Sequence, residues 1–345
     1  MLCTQCQNQP VAKIIGICAD CLRQIPESDF SPKFHFPVRE KFGLPILPPT
    51  ASEGKLCHFC GNQCRIPPGE SGYCGVRVNR GGRISNLAPK RSALAHMYQD
   101  PLPTNCCAVW FCDGSKERGN NLAVFFYGCN FNCLFCQNSS HKFVKSASTI
   151  SEERMVQAAL DPSVRCVCFF GGSPEPQLPF AIRVSRRIIK ESDNSKRICW
   201  EWNGCGNTDL VRVAAELAVR SGGTIKFDLK CHHRNLSSTM SGVDNQQAYK
   251  NFARIAKEFS DTNFLTATTL LVPYYVDKKE VESIARFIAE IDPQIPYSLL
   301  VFHPDFMMND LPITPLKQVK TTEETARKYL SNVNIGNKHL LRFAS

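Results

Sequence analysis

Three closely spaced cysteines constrain this chain more than any other feature of its sequence. Cys129, Cys133 and Cys136 stand in the run GCNFNCLFCQN with the spacing C-x3-C-x2-C. Three thiolates can hold three irons of a [4Fe–4S] cube, whereas electron-transfer clusters are usually closed by four cysteines. No fourth cysteine follows at a ferredoxin-like interval, so one iron is left open for a ligand that is not protein. The spacing predicts chemistry at that iron; the alternative is a structural zinc knuckle with a distant fourth ligand.

The chain has 19 cysteines in 345 residues. No apolar run approaches the roughly 20 residues needed to span a bilayer, and the N-terminal MLCTQCQNQP lacks the basic-then-apolar pattern of a signal peptide. We therefore expect a cytoplasmic protein, in which grouped cysteines are metal ligands rather than disulfides. The cysteines outside the spaced groups are expected to be mostly small buried hydrophobes: Cys106, Cys107, Cys112, Cys166, Cys168, Cys199, Cys205 and Cys231.

The formal net charge of +10 overstates how basic the protein is. It counts cysteines as neutral, whereas two four-thiolate zinc sites would each carry about −2 and a three-thiolate cluster about −1. The corrected charge is roughly +5, and the lysines and arginines are scattered rather than gathered in a run. Charge therefore permits nucleic-acid binding but does not indicate it.

Residues 1–24 contain two C-x2-C pairs, which are typical of a small zinc ribbon. Its predicted ligands are Cys3, Cys6, Cys18 and Cys21. The alternative is an unmetallated tail. Residues 25–55 are rich in proline and are predicted to be a linker or a strap across the surface.

A second cysteine module covers residues 56–80 and leads, through residue 121, into the following domain. Its natural ligands are Cys57, Cys60, Cys64 and Cys74. Four ligands close a site, so a structural zinc or an auxiliary iron–sulfur cluster fits better than a catalytic metal. The sequence does not separate these two alternatives.

From residue 122 the pattern becomes regular, and short apolar runs alternate with amphipathic stretches. The runs predict strands at 122–127, 165–170, 197–202, 224–229, 263–271 and 297–302. Helices are predicted near 151–161, 177–191, 208–221, 245–260 and 278–291. This alternation is typical of parallel β/α units. We predict an α/β fold, a partial TIM-like (β/α)6 barrel over 122–305, followed by an extension over 306–345 with one helix near 321–331.

In parallel β/α barrels, reactive groups gather on loops after the C-terminal strand ends. After the second predicted strand come Gly171 and Gly172, which let the backbone approach a ligand closely. Asn203 follows the third strand and offers both a donor and an acceptor. Alternatively, the glycines form a plain turn.

The fourth strand ends at Asp228 and Lys230, and the sixth is followed by His303. Asp228 and Lys230 can meet a ligand carboxylate, directly or through a cation, and His303 can line the same pocket. The alternatives are a strand-end ion pair and a structural histidine.

The chain resembles the radical S-adenosylmethionine (AdoMet) enzymes, and over about 122–305 their pyruvate formate-lyase activating-enzyme branch. The three cysteines, with Phe135 before the third, match the cluster motif, and Gly171 and Gly172 match the motif that binds the AdoMet amino group. Residues 228–230 match the family's DLK and LLVFH at 299–303 its last strand. GGSPEP departs from the usual GGEP and displaces Glu175 by two residues.

The front module at 56–80 and the IGN at 335–337 are similar to those of the AmmeMemoRadiSam and PflX-like subgroups, so the resemblance covers about 56–340. It implies a [4Fe–4S] cluster, AdoMet and an external electron donor of ferredoxin or flavodoxin type. It further implies cleavage of AdoMet to methionine and a 5′-deoxyadenosyl radical, which takes a hydrogen atom from a substrate carbon.

Several substrates are compatible with this resemblance. The first hypothesis is a partner protein or peptide, modified by glycyl radical installation or by C-methylation. Methylation points to cobalamin-dependent radical AdoMet enzymes that methylate residues of methyl-coenzyme M reductase, although no separate cobalamin-binding domain is recognisable. The second is an RNA-modifying enzyme, which the scattered charge disfavours. The third is a metal-rich scaffold or electron carrier without enzymatic activity.

Overall fold

A nine-stranded, mostly parallel sheet forms the centre of the molecule in the computed structural model, which describes residues 1–103, 106–260 and 263–343. The strands are β1 (Lys55–Leu56), β2 (Arg65–Ile66), β3 (Arg77–Arg80), β4 (Arg83–Asn86), β5 (Ser92–Pro101), β6 (Asn120–Phe126), β7 (Thr149–Ser151), β8 (Val164–Gly171), β9 (Arg197–Trp202), β10 (Ile225–Asp228), β11 (Leu265–Leu271), β12 (Tyr297–Val301) and β13 (Val333–Gly336). The order in the sheet is β13-β12-β11-β10-β9-β8-β6-β5-β7, parallel from β13 to β6. β5 pairs antiparallel with β6 and β7.

Helices alternate with the parallel strands and cover the sheet. They are α1 (Ala19–Gln24), α2 (Phe36–Lys41), α3 (Glu152–Ala159), α4 (Leu178–Glu191), α5 (Thr208–Arg220), α6 (Arg234–Ser241), α7 (Gln246–Glu258), α8 (Lys278–Ile291) and α9 (Leu316–Ala326). In α4 the buried positions Leu178, Ala181, Ile182, Ser185 and Ile189 recur at helical spacing, so one apolar stripe packs inward. Within the described ranges, every helix is too short or too polar to cross a membrane.

The predicted α/β class and the six predicted strands are confirmed, and the sheet gains a seventh parallel strand. That strand, β13, lies in the region predicted as an extension and pairs with β12. It has only four residues, of which Val333 and Ile335 are buried. An apolar pattern this short is not distinguishable from a loop in the sequence.

Two helices after residue 122 differ from the sequence prediction. The helix predicted near 321–331 is α9, which begins five residues earlier, directly after Pro315. Proline fits beside the first turn of a helix because no backbone N–H is needed there. Helix α6 was not predicted; it ends at Gly242, whose φ of 79° is the left-handed conformation that glycine adopts freely.

The N-terminal segments pack against the sheet domain. The segment predicted as a linker contains α2 and buries the side chains of His35 and Arg39. The ribbon segment docks through Arg23, which pairs with Asp277 and Glu280 at the start of α8. Both segments therefore contribute to the shape of the domain rather than hanging free from it.

Candidate functional site

A large cavity opens where the parallel strands end, and most of the predicted site residues line it. Its empty volume, which includes space open to solvent, is about 970 Å³. The predicted residues that it brings together are Cys129, Cys133, Cys136, Gly171, Gly172, Asn203, Asp228 and Lys230. These residues come from four different strand ends, so only the parallel sheet makes them neighbours.

The loop that carries the three cysteines is held by its backbone. Gly128 precedes it with a φ of 78°, and a Cβ there would lie 2.5 Å from Val76 Cγ1. The N–H groups of Asn132 and Leu134 donate to the carbonyls of Ser241 and Met240 at the end of α6. The loop is therefore fixed between the front module and α6.

The thiols occupy an apolar setting that disfavours free thiolates. Burial raises the pKa of Cys129 well above the usual range of a thiol, and it also raises the pKa of Cys136. A bound cation or cluster offsets this penalty because a metal deprotonates the thiol that it ligates. The surroundings of these cysteines therefore suit the ligands of a metal centre better than free nucleophilic thiols.

A buried network of hydrogen bonds that includes a lysine lies behind the cysteine loop, and the sequence does not predict it. Lys142, 1% exposed, donates from Nζ to Asn132 Oδ1 at 2.8 Å. Asn132 Nδ2 lies 2.9 Å from His35 Nδ1, and His35 Nε2 lies 2.8 Å from the Thr239 carbonyl. Burial lowers the pKa of His35 to about 4, which leaves its ring neutral.

Lys142 is therefore the charged member of this network. Burial lowers its pKa, and the three cysteines oppose that shift when they are thiolates. The guanidinium of Arg39 adds a second buried positive charge and lies 3.4 Å from the centre of the Tyr73 ring. No spacing rule identifies either residue, since they reach the loop only through the packing of α2 and of the segment after Cys136.

The glycine pair allows two strand ends to touch. Gly171 has a φ of 110°, and a Cβ on it would lie 2.6 Å from Phe126 N. A Cβ on Gly172 would lie 2.2 Å from the Gly128 carbonyl oxygen and 2.9 Å from His141 Nδ1. That nitrogen has no hydrogen-bond partner among the described residues, although it is buried. Side chains at either position would push β8 away from the cysteine loop.

Asn203 links the cysteine loop to the glycine loop. Its Nδ2 donates to Asn130 Oδ1 at 2.8 Å and to Ser173 Oγ at 3.0 Å, and its Oδ1 accepts from Cys205 N at 2.9 Å. The amide is thus largely committed to the protein while it also forms part of the cavity wall. Its geometry fits a residue that shapes the pocket.

Glu175 is the acidic residue that the altered GGSPEP motif displaces. Its carboxylate is fully buried and accepts a hydrogen bond from the Gly204 N–H at 2.7 Å. Burial raises the pKa of Glu175 to about 7, against the lowering effect of that hydrogen bond. The cavity is lined by Ser173 instead. The two additional residues of GGSPEP therefore place the Glu175 carboxylate behind the residues that line the cavity.

Asp228 and Lys230 form an ion pair at the end of β10. Burial alone would lower the pKa of Lys230, but the Asp228 carboxylate and Cys133 outweigh it and raise that pKa. The Lys230 ammonium also lies 5.4 Å from the centre of the Phe135 ring. The pair presents one positive and one negative group beside the cysteine wall.

His303 is placed outside this cavity. Its side chain is half exposed, and Nδ1 lies 3.0 Å from Asp305 Oδ2. From β12, it is Leu300 that lines the cavity. The predicted contact of His303 with the pocket has no geometric support.

The two other cysteine groups differ in how closely their sulfurs converge. The sulfurs of Cys3, Cys6, Cys18 and Cys21 all lie within 4.8 Å of one another. A tetrahedral zinc with Zn–S bonds of about 2.3 Å requires sulfurs about 4 Å apart, so this set fits one ion.

The thiols of the second module are all buried, but they do not converge to that distance: Cys57, Cys60, Cys64 and Cys74. Arg77 is buried beside them with its guanidinium 3.7 Å from the centre of the Phe59 ring. Cys74, Cys57 and Cys60 raise the pKa of Arg77 when they are thiolates, against a larger lowering by burial. Zinc and an auxiliary cluster both remain compatible with this group.

Comparison with known proteins identifies the domain that holds the cavity. Residues 123–288 match the model of the radical SAM superfamily. An uncharacterised protein of Methanocaldococcus jannaschii is 23% identical over 286 residues, which are 81% of this chain and 80% of that protein. A second M. jannaschii protein, whose name describes a glycyl-radical enzyme activating enzyme, is 24% identical over 218 residues, 62% of this chain and 80% of its own. The isethionate sulfite-lyase activating enzyme of Desulfovibrio desulfuricans is 30% identical over 135 residues, 39% of this chain and 40% of that enzyme.

Proposed function

We propose that this radical SAM enzyme takes a hydrogen atom from a carbon of a partner protein or peptide and leaves a radical there. The chain carries a radical SAM domain over residues 123–288, and such a domain implies AdoMet and a [4Fe–4S] cluster. When bound, these cofactors supply a 5′-deoxyadenosyl radical by one-electron cleavage of AdoMet to methionine. The hydrogen atom that is taken ends in 5′-deoxyadenosine, and the partner keeps the unpaired electron.

One observation carries this proposal: the cluster cysteines share one cavity with the residues proposed to bind AdoMet. Cys129, Cys133 and Cys136 would be the three protein ligands of the cluster. Lys230 would meet the AdoMet carboxylate, with Asp228 holding its ammonium in place. Gly172 would bring the backbone close to the amino group, since no side chain separates them.

A groove beside the cavity suits a polypeptide. It shares His141 and Gly171 with the cavity, is lined also by His96, Phe125 and Tyr127, and has an empty volume of about 420 Å³ that includes space open to solvent. An aromatic groove beside a cofactor pocket can hold an extended segment near the reacting carbon. Two relatives have names that describe the activation of other enzymes, and we therefore favour a glycyl radical over C-methylation.

We also propose one structural zinc at Cys3, Cys6, Cys18 and Cys21, because their sulfurs converge as a single tetrahedral ion requires. The electron for AdoMet cleavage would come from an external donor of ferredoxin or flavodoxin type.

The test uses full-length protein reconstituted anaerobically with iron and sulfide. With AdoMet and dithionite, it should form 5′-deoxyadenosine; absence of that product at full cluster occupancy would contradict the proposal. A glycyl-radical enzyme from the same organism should then show a protein-bound radical by electron paramagnetic resonance. A methylated partner without a radical would instead assign C-methylation, and dependence of the methyl transfer on added cobalamin would show whether that cofactor is used.

A further inference from the structure

A second cavity lies against one face of the sheet, next to the pocket at the strand ends. Its empty volume, which includes space open to solvent, is about 570 Å³, and it shares Phe170 and Glu201 with the pocket above. Five cysteines line it, all from the group that the sequence predicts to be mostly small buried hydrophobic residues: Cys106, Cys112, Cys166, Cys168 and Cys199. Five thiols that line one cavity from separate parts of the chain are more than small apolar fillers require.

These thiols reach the cavity from separate parts of the chain. Cys166 and Cys168 are two residues apart on β8 and therefore project from the same face. Cys199 on β9 is paired in register with Cys168. Cys106 and Cys112 come from the segment between β5 and β6. The fold, not the local sequence, brings them together.

That connecting segment is anchored to the sheet rather than draped over it. Trp110 Nε1 donates to Ser298 Oγ at 3.0 Å, and Ser298 Oγ donates to the Cys107 carbonyl at 3.1 Å. Ser298 belongs to β12, across the interior from β8. These two hydrogen bonds hold the segment that carries Cys106 and Cys112 beside the cavity.

A buried cation stands among the thiols. Lys226 is 1% exposed, and its Nζ lies 3.4 Å from Cys106 Sγ, 3.4 Å from Cys168 Sγ and 3.3 Å from Glu201 Oε2. Burying an ammonium is costly unless anions and acceptors surround it. Glu201 supplies one carboxylate, but the other two contacts are sulfurs, which are weak acceptors as thiols. Sulfurs that serve as metal-bound thiolates would meet this need.

We propose that this cavity binds an iron–sulfur cluster through Cys106, Cys168 and neighbouring thiols, with Lys226 donating hydrogen bonds to the sulfur ligands. Cluster binding displaces the thiol protons to solvent, and the ammonium offsets the negative charge that results. Hydrogen bonds to cluster sulfurs are one of the means by which proteins set a cluster's potential.

The sulfurs of this cavity are not gathered as those of the N-terminal group are. A mononuclear zinc draws its ligands together, as in the N-terminal group, where all four sulfurs lie within 4.8 Å. In the described part of the chain, the thiols of this cavity do not converge to that distance, and neither do Cys129, Cys133 and Cys136. Both sets instead line a cavity, as the ligands of a polynuclear cluster would. This proposal does not depend on AdoMet chemistry.

The decisive measurement is iron and acid-labile sulfide per chain in full-length protein that lacks the AdoMet cluster. In a background of Cys129→Ala, Cys133→Ala and Cys136→Ala, adding Cys106→Ser and Cys168→Ser should remove about four irons and as many sulfides after anaerobic reconstitution. Any iron held by the module at 57–74 is present with and without the two serine substitutions, so it does not contribute to the difference in iron content. Adding Cys231→Ser instead, a buried thiol outside both cavities, should remove none. Unchanged iron in the Cys106 and Cys168 variant overturns the proposal, as does zinc in place of iron.

Alkylation of the wild-type chain tests the same site without any substitution. Cys106 and Cys112 are only partly buried, so iodoacetamide should label them in metal-free protein. After reconstitution with iron and sulfide, that labelling should be lost, as mass spectrometry of the digested chain would show. Equal labelling before and after reconstitution overturns the proposal even if the serine variants fold poorly.

Discussion

The Glu175 carboxylate accepts a hydrogen bond from the backbone N–H of Gly204 at 2.7 Å, inside a fully buried site. This contact ties the loop after β8 to the loop after β9, and both loops line the candidate AdoMet pocket. Because burial raises the pKa of Glu175 to about 7, the strength of the tie depends on pH in the neutral range.

Glu175→Gln should remove a pH-dependent part of the stability. A carboxyl whose folded-state pKa is raised stabilises the fold below its unfolded pKa, near 4.5, and loses that contribution as pH rises through about 7. A shift of this size corresponds to on the order of 3 kcal/mol at most. Thermal midpoints between pH 5 and 8.5 should therefore fall more in the wild type than in Glu175→Gln.

The exposed Glu324→Gln is the matched control for that series, and it should follow the wild type at every pH. If Glu175→Gln also followed the wild type, the carboxyl of Glu175 would titrate normally in the folded protein.

Alanine at any one of Cys129, Cys133 and Cys136 should abolish AdoMet cleavage. Each change removes one of three proposed protein ligands, and the remaining two cannot hold the cube with a single open iron. Chromatographic detection of 5′-deoxyadenosine after reduction by dithionite measures the effect. An undiminished yield of 5′-deoxyadenosine from any of these variants would show that the substituted cysteine is not a cluster ligand.

Lys230→Ala should weaken AdoMet binding by about 10- to 150-fold, the equivalent of one charge-assisted hydrogen bond of roughly 1.5–3 kcal/mol. Cluster assembly should persist because the sulfurs come from a different loop. Equilibrium dialysis with labelled AdoMet, beside iron analysis, separates the two effects. Normal binding would exclude Lys230 from the AdoMet site, and loss of iron would show that it is structural.

Lys142→Met should make the cluster harder to reduce. The buried Lys142 ammonium lies behind the cysteine loop and favours the more negative, reduced state, so its loss should lower the midpoint potential by about 60 mV or more, the one-electron equivalent of a tenfold change. Redox titration followed by electron paramagnetic resonance measures this shift. Lys145→Met, an exposed lysine of the same segment, is the matched control and should leave the potential unchanged.

Cys3→Ser with Cys21→Ser should remove about one zinc per chain, since two of four ligands are lost. The ribbon lies outside the cavity, so AdoMet cleavage should persist. Thermal stability should nevertheless fall, because Arg23 of this segment pairs with Asp277 and Glu280 on the sheet domain. Elemental analysis and a thermal midpoint measure both effects, and cleavage lost together with zinc would place the ribbon in the catalytic core.

Much of the candidate site could be predicted because local spacing carries the chemistry. C-x3-C-x2-C, Gly171-Gly172 and the DLK at 228–230 are each short enough to be recognised, and the structure places all of them around one cavity. Asn203, predicted from its position after a strand, also lines the cavity, whereas His303, predicted in the same way, pairs with Asp305 outside it. Lys142 and Arg39 were missed because their role depends on the packing of distant segments.

The sequence by itself determined the parallel β/α alternation and the cysteine motifs, because periodicity and ligand spacing are properties of neighbouring residues. Only the tertiary structure decided which strand ends meet, that β13 completes the sheet, and that the segment before residue 55 buries His35 and Arg39. It also turned five cysteines without a motif into the lining of one cavity around Lys226. Contacts of this kind arise from sheet register and chain packing, which bring together residues that are distant along the chain.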